Sequence, residues 1–565
     1  MIDETHRDDF HASLIPASSD FFFLPLGGTG EIGMNLNLYG HDGAWMIVDL
    51  GVTFDSRSPL GIEVLMADPQ FIVDRQQTLA GIVLTHAHED HIGAVPYLWP
   101  ELRCPIYATP FTAALVRRKL SEAGLEAVAK VTEIPLSGRF TVGPFEIELI
   151  TLTHSIPEPN AVVIRTPLGS ILHTGDWKLD ESPLVGEDYD LARLQSLAEE
   201  DILAMVCDST NALVDGTTGS EAEVRERLHE IVDGRKGRVA IACFASNVAR
   251  LETVIRVAEA CNRNICLVGR SMHRIVEAAR ETGYLSNLPP FVSEKDVDFL
   301  PPDEVLLLCT GSQGEPRSAL ARIAQGRHPH VYLDDGDSVI FSSRIIPGNE
   351  LEIFRLQNDL ARQGIEVVVD QGDNIHVSGH PARDELAQMY QWVRPKVAIP
   401  VHGEARHLKA HAELAAACQV PQQLVCENGD LIRFDGDRAE VLLKVPTGRL
   451  AYDGGRLWPF GSIHFRERIK LGYNGSASVT LVADRNGVLD GDPVMSLTGL
   501  VGEDLEDEIF DEFVEAVIRT VNSLSRSDKR NDEKMVEAVR QSVRRTANKL
   551  LGKKPLTSVH LVRLS

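Results

Sequence analysis

The segment GIVLTHAHEDHIGAVP, residues 81–96, limits what this chain can fold into more than any other. An apolar run ends at Thr85 and delivers His86, His88, Asp90 and His91 within six residues. Alternate side chains on an extended segment share a face, so His86 and His88 point together. Asp90 and His91 follow in the turn and can address a second centre. Imidazole and carboxylate suit zinc or a similar divalent ion. An ordinary solvated loop has no reason to gather these groups at the end of a buried strand. One cluster cannot complete two sites, so a fold carrying it must bring more ligands to the same rim. His154 closes IELITLTH, Asp176 closes SILHTGD and His402 closes KVAIPVH. Each stands where an apolar run meets a polar turn, the usual place for site residues.

The pattern around these positions suggests several domains, for which 565 residues give room. Residues 1–20 are polar and acidic and read as a mobile tail. From residue 21, FFFLPL, NLNLYG, WMIVDLG, GIVLTH, FEIELITLTH, AVVIRT, SILHTGD and ILAMVCD are strand-like, with a helix expected at 111–129. That mixture suits a sheet sandwich flanked by helices, spanning 21–215 and resuming at 366–435. Between them, at 216–365, RVAIACF, NICLVG, EVLLLC and DSVIFSS alternate with helical stretches, the rhythm of a parallel sheet. A helix is expected at 382–393. Residues 436–462, with Gly, Arg and Asp prominent, read as a linker. Residues 463–565 read as a small α/β unit with an acidic stretch at 503–515 and a basic helix at 529–549.

Composition excludes several classes. No apolar run reaches the length of a membrane span, and the start lacks the basic, apolar pattern of a secretory signal, so a cytoplasmic location is expected. The eight cysteines form no CxxC pair and several lie inside strand-like runs, which fits buried thiols. The net charge of −26 argues against a surface coated for non-specific nucleic-acid binding. It leaves room for a local basic channel, for which Arg270, His273, Arg274 and Arg317 are candidates, and bound metals add positive charge where a phosphate must sit. Gly28, Gly30 and Gly33 match GxGxxG, but NLNLYG follows as a strand where a dinucleotide fold needs a helix. Glycines that let backbone approach a metal site fit better. No GxSxG elbow surrounds Ser209 or Ser246, against a serine hydrolase.

HAHEDH with His154 and Asp176 resembles the metallo-β-lactamase superfamily, and VDLG at Asp49 resembles its supporting-aspartate motif. CDSTN at Asp208, HVSGH ending at His380 and PVHGE at His402 resemble the three added motifs of its β-CASP nucleases. GGTGEIGMN, FASN, TGSQGEP and IIPGNE narrow the resemblance to the bacterial ribonuclease J family, strongly over about 21–450 and more weakly beyond. The resemblance implies an αββα sandwich with an inserted β-CASP α/β domain and a small C-terminal α/β domain. It implies two divalent ions, zinc first and manganese as the alternative. His86, His88 and His154 would hold one ion and Asp90, His91 and His402 the other, with Asp176 bridging. Asp90 and Asp176 would also orient the attacking water. His380, oriented by Asp208, is the candidate proton donor. Ala245, Ser246 and Asn247 of FASN, together with His376, Val377, Ser378, Gly379 and His380, would contact substrate.

The implied activity is a 5′-to-3′ exoribonuclease with endonuclease activity as a second mode, acting in RNA maturation and decay. Its substrate would be RNA, preferably with a 5′-monophosphate. A homodimer or higher homo-oligomer is expected, with RNA-decay partners. A small-substrate hydrolase would share the first cluster but would not need so large an insertion before His402. A DNA-processing relative is the enzymatic alternative. His402 weighs against it, because by resemblance the RNA enzymes carry histidine there and the DNA enzymes usually valine. A non-catalytic RNA-binding scaffold is the third reading, and the intact ligand set opposes it.

Overall fold

The strand-like runs form two facing sheets whose central strands are buried along nearly their whole length, because each sheet is covered on both faces. In the computed structural model, which describes residues 14–54, 61–62, 64–370, 372, 374–502 and 506–564, the first sheet has eight strands. Their order is Arg438–Lys444, Asp430–Asp435, Phe21–Gly27, Leu36–His41, Ala44–Val48, Leu79–Val83, Ile106–Ala108 and Val131–Glu133. The second runs Arg139–Val142, Phe145–Thr151, Asn160–Thr166, Gly169–His173, Ala204–Asp208, Val397–Val401 and Gln422–Gln423. Phe23, Tyr39, Val48 and Val83 of the first meet Leu149, Val162, Ile171, Val206 and Ile399 of the second in one core. Leu172, Met205 and Ala398 face the other way, against Leu194, Leu386, Tyr390 and Leu414 on the helices Leu191–Ser196, Arg383–Val393 and Ala405–Ala417. Helix Pro110–Glu122 lies on the outer side of the first sheet, completing the αββα sandwich. It is shorter than the sequence suggests because Gly124 takes φ 71°, a left-handed conformation that stops helices.

The inserted segment forms a sheet of five parallel strands, as its βα rhythm implies. The order is Asn264–Val268, Val305–Cys309, Val239–Ala242, Ser338–Phe341 and Glu366–Val368. The last strand pairs with Ser338–Phe341, so the inserted sheet runs past residue 365, where the sequence reading ended it. The chain then re-enters the sandwich, and Val397–Val401 pairs in parallel with Ala204–Asp208, Asp208 opposite Val401.

The chain divides into two compact units, one of Met1–Phe54 and Val64–Arg449, the other of Asp55–Glu63 and Leu450–Ser565. The second packs Ser476–Ala483, flanked by Val494–Thr498 and Leu556–Arg563, on the helices Glu506–Ser523 and Asp532–Leu551. Two expectations change. Within 436–462, Arg438–Lys444 is a strand of the first sheet and Arg449–Asp453 pairs with Arg456–Pro459. That segment is therefore not an open linker: its alternating residues satisfy backbone hydrogen bonds in sheets. The expected mobile tail lies outside the described residues up to position 13. Beyond it Leu14 is buried, and its carbonyl accepts the Trp45 indole N–H at 3.4 Å. No helix among the described residues is long and apolar enough to cross a membrane.

Candidate metal centre

Most ligand candidates sit just beyond the ends of strands; Asp90 and His91 lie on the short helix Glu89–Ile92, where the sequence suggests a turn. Leu79–Val83 leads into Thr85 and His86, Phe145–Thr151 into His154, Gly169–His173 into Asp176, and Val397–Val401 into His402. The four strands end at one rim of the sandwich, and residues far apart in sequence converge there. His402 reaches the rim in a left-handed conformation, φ 52°, with its N–H donating to the Gly28 carbonyl at 2.7 Å. Gly28, Gly30 and Gly33 all have positive φ and lead into a strand, so this is a backbone approach and no dinucleotide loop.

The seven ligand candidates form two groups. His86, His88, His154 and Asp176 converge in one, and Asp90, His91, Asp176 and His402 in the other, with Asp176 common to both; a third group among the described residues, Asp176, Asp208, His380 and His402, shares Asp176 and His402 with them. His88 Nδ1 lies 3.1 Å from His86 Nε2 and 3.0 Å from His154 Nε2. Nitrogens bound to one tetrahedral ion at about 2.0–2.1 Å stand roughly 3.3 Å apart, so this spacing suits a single cation. In the other group His91 Nε2 is 3.1 Å and His402 Nδ1 3.2 Å from Asp176, while His402 Nε2 is 3.2 Å from Asp90.

The outward-facing nitrogens are tied down, which fixes tautomers. His154 Nδ1 donates to the Gly379 carbonyl, and His91 Nδ1 to Asp49 at 2.7 Å. Asp49 also accepts from the Thr85 amide and hydroxyl, both at 2.8 Å, so Thr85 Oγ1 is left to accept from His86 Nδ1 at 3.0 Å. Each bond leaves a Nε2 lone pair facing the centre, the usual support for a metal-binding imidazole. Asp49 thus acts behind the ligands, in agreement with its motif.

Electrostatics fit a cation. Burial pushes the His86 and His154 imidazoles well down and His88 down to about 4, so these three are uncharged ligands at neutral pH. Burial alone would raise the carboxyls of Asp90, Asp176 and Asp208, but the imidazoles facing them outweigh it and hold all three low. His91 and His402 shift up for the reciprocal reason, their burial being outweighed by Asp176 and its neighbours. Buried carboxylates require positive charge nearby, and a divalent ion held by these imidazoles would supply it. The donor set therefore fits divalent metal.

His380 stands beside this centre. Its Nδ1 meets Asp208 Oδ2 at 2.7 Å, and Asp176 lies 3.8 Å away. Burial opposes charge on His380, but Asp208 and Asp176 outweigh it and its pKa is raised. Asp208 Oδ1 accepts from the amide and hydroxyl of Thr210, both at 2.8 Å, and Thr210 Oγ1 also lies 3.1 Å from His402 Nδ1. Sequence reasoning missed Thr210 and Asn211, although both lie in CDSTN. Asn211 donates to Ser378 Oγ and to the His380 carbonyl, each at 2.9 Å, and accepts from Arg344 at 2.9 Å. Ser378 Oγ also accepts the His380 amide at 3.2 Å, which leaves its own proton free to donate elsewhere.

His376, Val377 and Ser378 line a cleft of about 490 Å³ with Thr218, Ser343 and Arg344. The His376 Nδ1 is buried and has no hydrogen-bond partner. Gly379 instead packs against His154. Ala245 and Ser246 form the turn before helix Val248–Ala260, whose Ala249 amide reaches the Ser155 carbonyl at 3.4 Å. Asn247 caps that helix, its Oδ1 accepting the Arg250 amide at 2.8 Å, which leaves only its amide nitrogen for substrate. Arg274, a candidate for the channel, is paired with Glu122 at 2.8 Å.

Comparison with known proteins identifies the domains that carry these residues. Residues 33–207 match the metallo-beta-lactamase superfamily, 236–360 the ribonuclease J beta-CASP domain, 364–420 the Zn-dependent metallo-hydrolase RNA specificity domain and 463–564 the ribonuclease J C-terminal domain. Ribonuclease J of Sinorhizobium meliloti is 44% identical, over 87% of this chain and 89% of its own. Ribonuclease J of Mycolicibacterium smegmatis is 40% identical, over 81% and 83%. A solved protein of unknown function from Enterococcus faecalis shares the fold at 16% identity, with TM-score 0.51 over 73% of this chain and 100% of that one. By this pattern of domains and by these relatives, the chain belongs to the ribonuclease J family of the metallo-β-lactamase superfamily.

Proposed function

We propose that the chain is a ribonuclease holding two divalent ions, which removes nucleotides from the 5′ end of RNA and also cuts internally. The position of Asp176 carries this reading. It belongs to both ligand groups, and the His380–Asp208 pair stands at its side. His86, His88 and His154 would hold one ion, Asp90, His91 and His402 the other, with Asp176 between them. Divalent ions there supply Lewis-acid stabilisation of the phosphodiester and lower the pKa of water. Zinc suits the ligands first, and manganese also.

The chain's own residues do the rest. Asp208 holds His380 by Nδ1 and favours its charged form, leaving Nε2 to give a proton to the departing 3′-oxygen. Ser378, whose Oγ accepts from Asn211 and the His380 amide and whose hydroxyl proton is free to donate elsewhere, and the Gly379 amide would offer donors to a terminal phosphate, with His376 beside them. Donors set for one phosphate at this end of the cleft favour a monophosphate and leave a triphosphate's extra charge without partners. A 5′-hydroxyl would leave the donors unpaired, at about 1–3 kcal/mol for a buried group. The same reading places the enzyme in the cytoplasm, self-associated through its C-terminal unit and working with RNA-decay partners.

Matched RNAs bearing 5′-hydroxyl, monophosphate or triphosphate, labelled at either end and digested with metal supplied, test it. The monophosphate should be consumed fastest from the 5′ end. Ser378→Ala should erode that preference more than it slows internal cutting. Equal exonuclease rates on all three RNAs would remove the phosphate pocket, and uncut RNA with metal bound would favour the scaffold reading.

A further inference from the structure

Another buried imidazole lies behind the centre and takes no part in it. His411, on helix Ala405–Ala417, is fully buried, as is Ser209, and Tyr390 is nearly so. His411 Nδ1 lies 2.8 Å from Ser209 Oγ, and its Nε2 2.8 Å from the Tyr390 hydroxyl. The directions of these bonds follow from counting donors. Ser209 has a further acceptor in the Cys207 carbonyl at 3.4 Å. If Tyr390 donates to Nε2, Nδ1–H donates to Ser209 and Ser209 donates to Cys207, every donor is used. The reverse order leaves the Tyr390 proton without one of these acceptors. Burial holds the His411 pKa down at about 4, so the ring is neutral and can donate on one side and accept on the other.

The three partners stand on the three segments that carry the reacting side chains. Ser209 lies between Asp208, which aligns His380, and Thr210, which touches His402. Tyr390 is on helix Arg383–Val393, which starts three residues after His380. His411 is on the helix that starts three residues after His402. We infer that His411 is a positioning residue, keying the segments of Asp208, His380 and His402 to one another through Ser209 and Tyr390. The inference rests on the ribonuclease reading above.

Two amides divide the imidazole's functions. Asparagine can place its amide nitrogen where Nδ1 stands and keep the bond to Ser209. Glutamine reaches the Nε2 position and keeps only Tyr390. Asparagine also removes more buried volume, so a purely packing role makes His411→Asn the worse variant in both Tm and activity. Positioning through Ser209 makes the order of activity the opposite. On RNA, kcat of His411→Gln should fall roughly 10- to 100-fold, the usual scale for a group that supports a site from behind. KM should change little, and His411→Asn should keep most of the wild-type kcat. Ser209→Ala, a small change that folds readily, should match His411→Gln, and the double variant should be no worse than either alone. Tm and metal content per chain are measured alongside. A kcat that follows Tm across the variants, or Ser209→Ala with wild-type kcat, would overturn the inference. Wild-type protein that binds metal but leaves RNA intact would count instead against the ribonuclease reading.

Discussion

Gly379→Ala separates two reasons for glycine at that position. If Gly379 serves only through its amide, alanine serves as well, since it carries the same N–H. The geometry says otherwise. A Cβ there would stand 2.4 Å from His154 Cε1 and 2.5 Å from its Nδ1. Carbon atoms in contact sit about 3.5 Å apart, so something must yield by roughly 1 Å. Two things can. The His154 ring can turn away, losing its bond to the Gly379 carbonyl and its place 3.0 Å from His88. Alternatively the HVSGH turn can back off and draw His380 from Asp208. A misplacement of about 1 Å at a reacting centre costs on the order of 100-fold in rate, about 2.7 kcal/mol of barrier. Gly379→Ala should therefore cut RNA at least about 100-fold more slowly. If the ring yields, metal should also be lost at lower chelator concentration than from wild type. The assay is single-turnover cleavage of end-labelled RNA, with metal per chain measured after dialysis against graded chelator. Wild-type rate and wild-type metal retention in a folded Gly379→Ala protein would refute the steric argument and leave the amide as the residue's whole role.

Other outcomes follow from the same geometry. His402→Val should weaken one of two bound ions and slow cleavage at least about 100-fold; elemental analysis that still finds both ions, with normal turnover, would show that His402 is no ligand. His380→Ala should retain metal and lose roughly 10² to 10⁴ in the chemical step. Asp208→Asn should act in the same direction without adding in full, as the double variant in single-turnover cleavage will show. Glu148 gives a pH dependence away from the centre. Burial would raise its carboxyl, but hydrogen bonds from Arg193, Arg139 and Arg165 outweigh that and hold it at about 2. A carboxyl depressed in the fold stabilises it above the unfolded value of about 4.3, and the contribution is lost as pH falls through the folded value. Urea midpoints of wild type should therefore exceed those of Glu148→Gln at pH 7, and the gap should close between about pH 4.3 and 2. A gap that persists to the acid end would remove the charge from the explanation.

The candidate centre could be assembled from sequence because its residues mark their own positions. His86, His154, Asp176 and His402 follow closely on apolar runs, His88, Asp90 and His91 come directly after the first of them, and these runs end at one rim. The inserted parallel sheet was legible for a similar reason, since its βα rhythm repeats locally. What escaped depends on pairing between distant residues. Arg438–Lys444 looks like polar linker until Asp430–Asp435 lies beside it, and Glu366–Val368 looks like the sandwich until Ser338–Phe341 claims it. Thr210, Asn211 and His411 carry no mark of their function in the chain. A threonine in a turn or a histidine in a helix becomes informative only when His402, Ser378 or Ser209 is seen across the gap. The net charge misleads in the opposite way, because a count over 565 residues says nothing of where in the cleft Arg344 lies.

The pairing of Phe22 with Arg433 in the first sheet sets an order of events at the ribosome. Phe21–Gly27 emerges early, but the strand beside it, Asp430–Asp435, is about 400 residues away. At about 5–20 residues per second that edge waits some 20–80 s for its neighbour. During that time the inserted parallel sheet, whose strands lie close together in sequence, can form on its own. Until the chain passes the 430s, the fully buried FFFLPLG strand has an open row of backbone donors and acceptors. A message truncated within the insertion would therefore yield a polypeptide that lacks His402 and also carries a sticky apolar edge. Such a fragment should draw chaperones or aggregate, and it should not persist as a half-active enzyme.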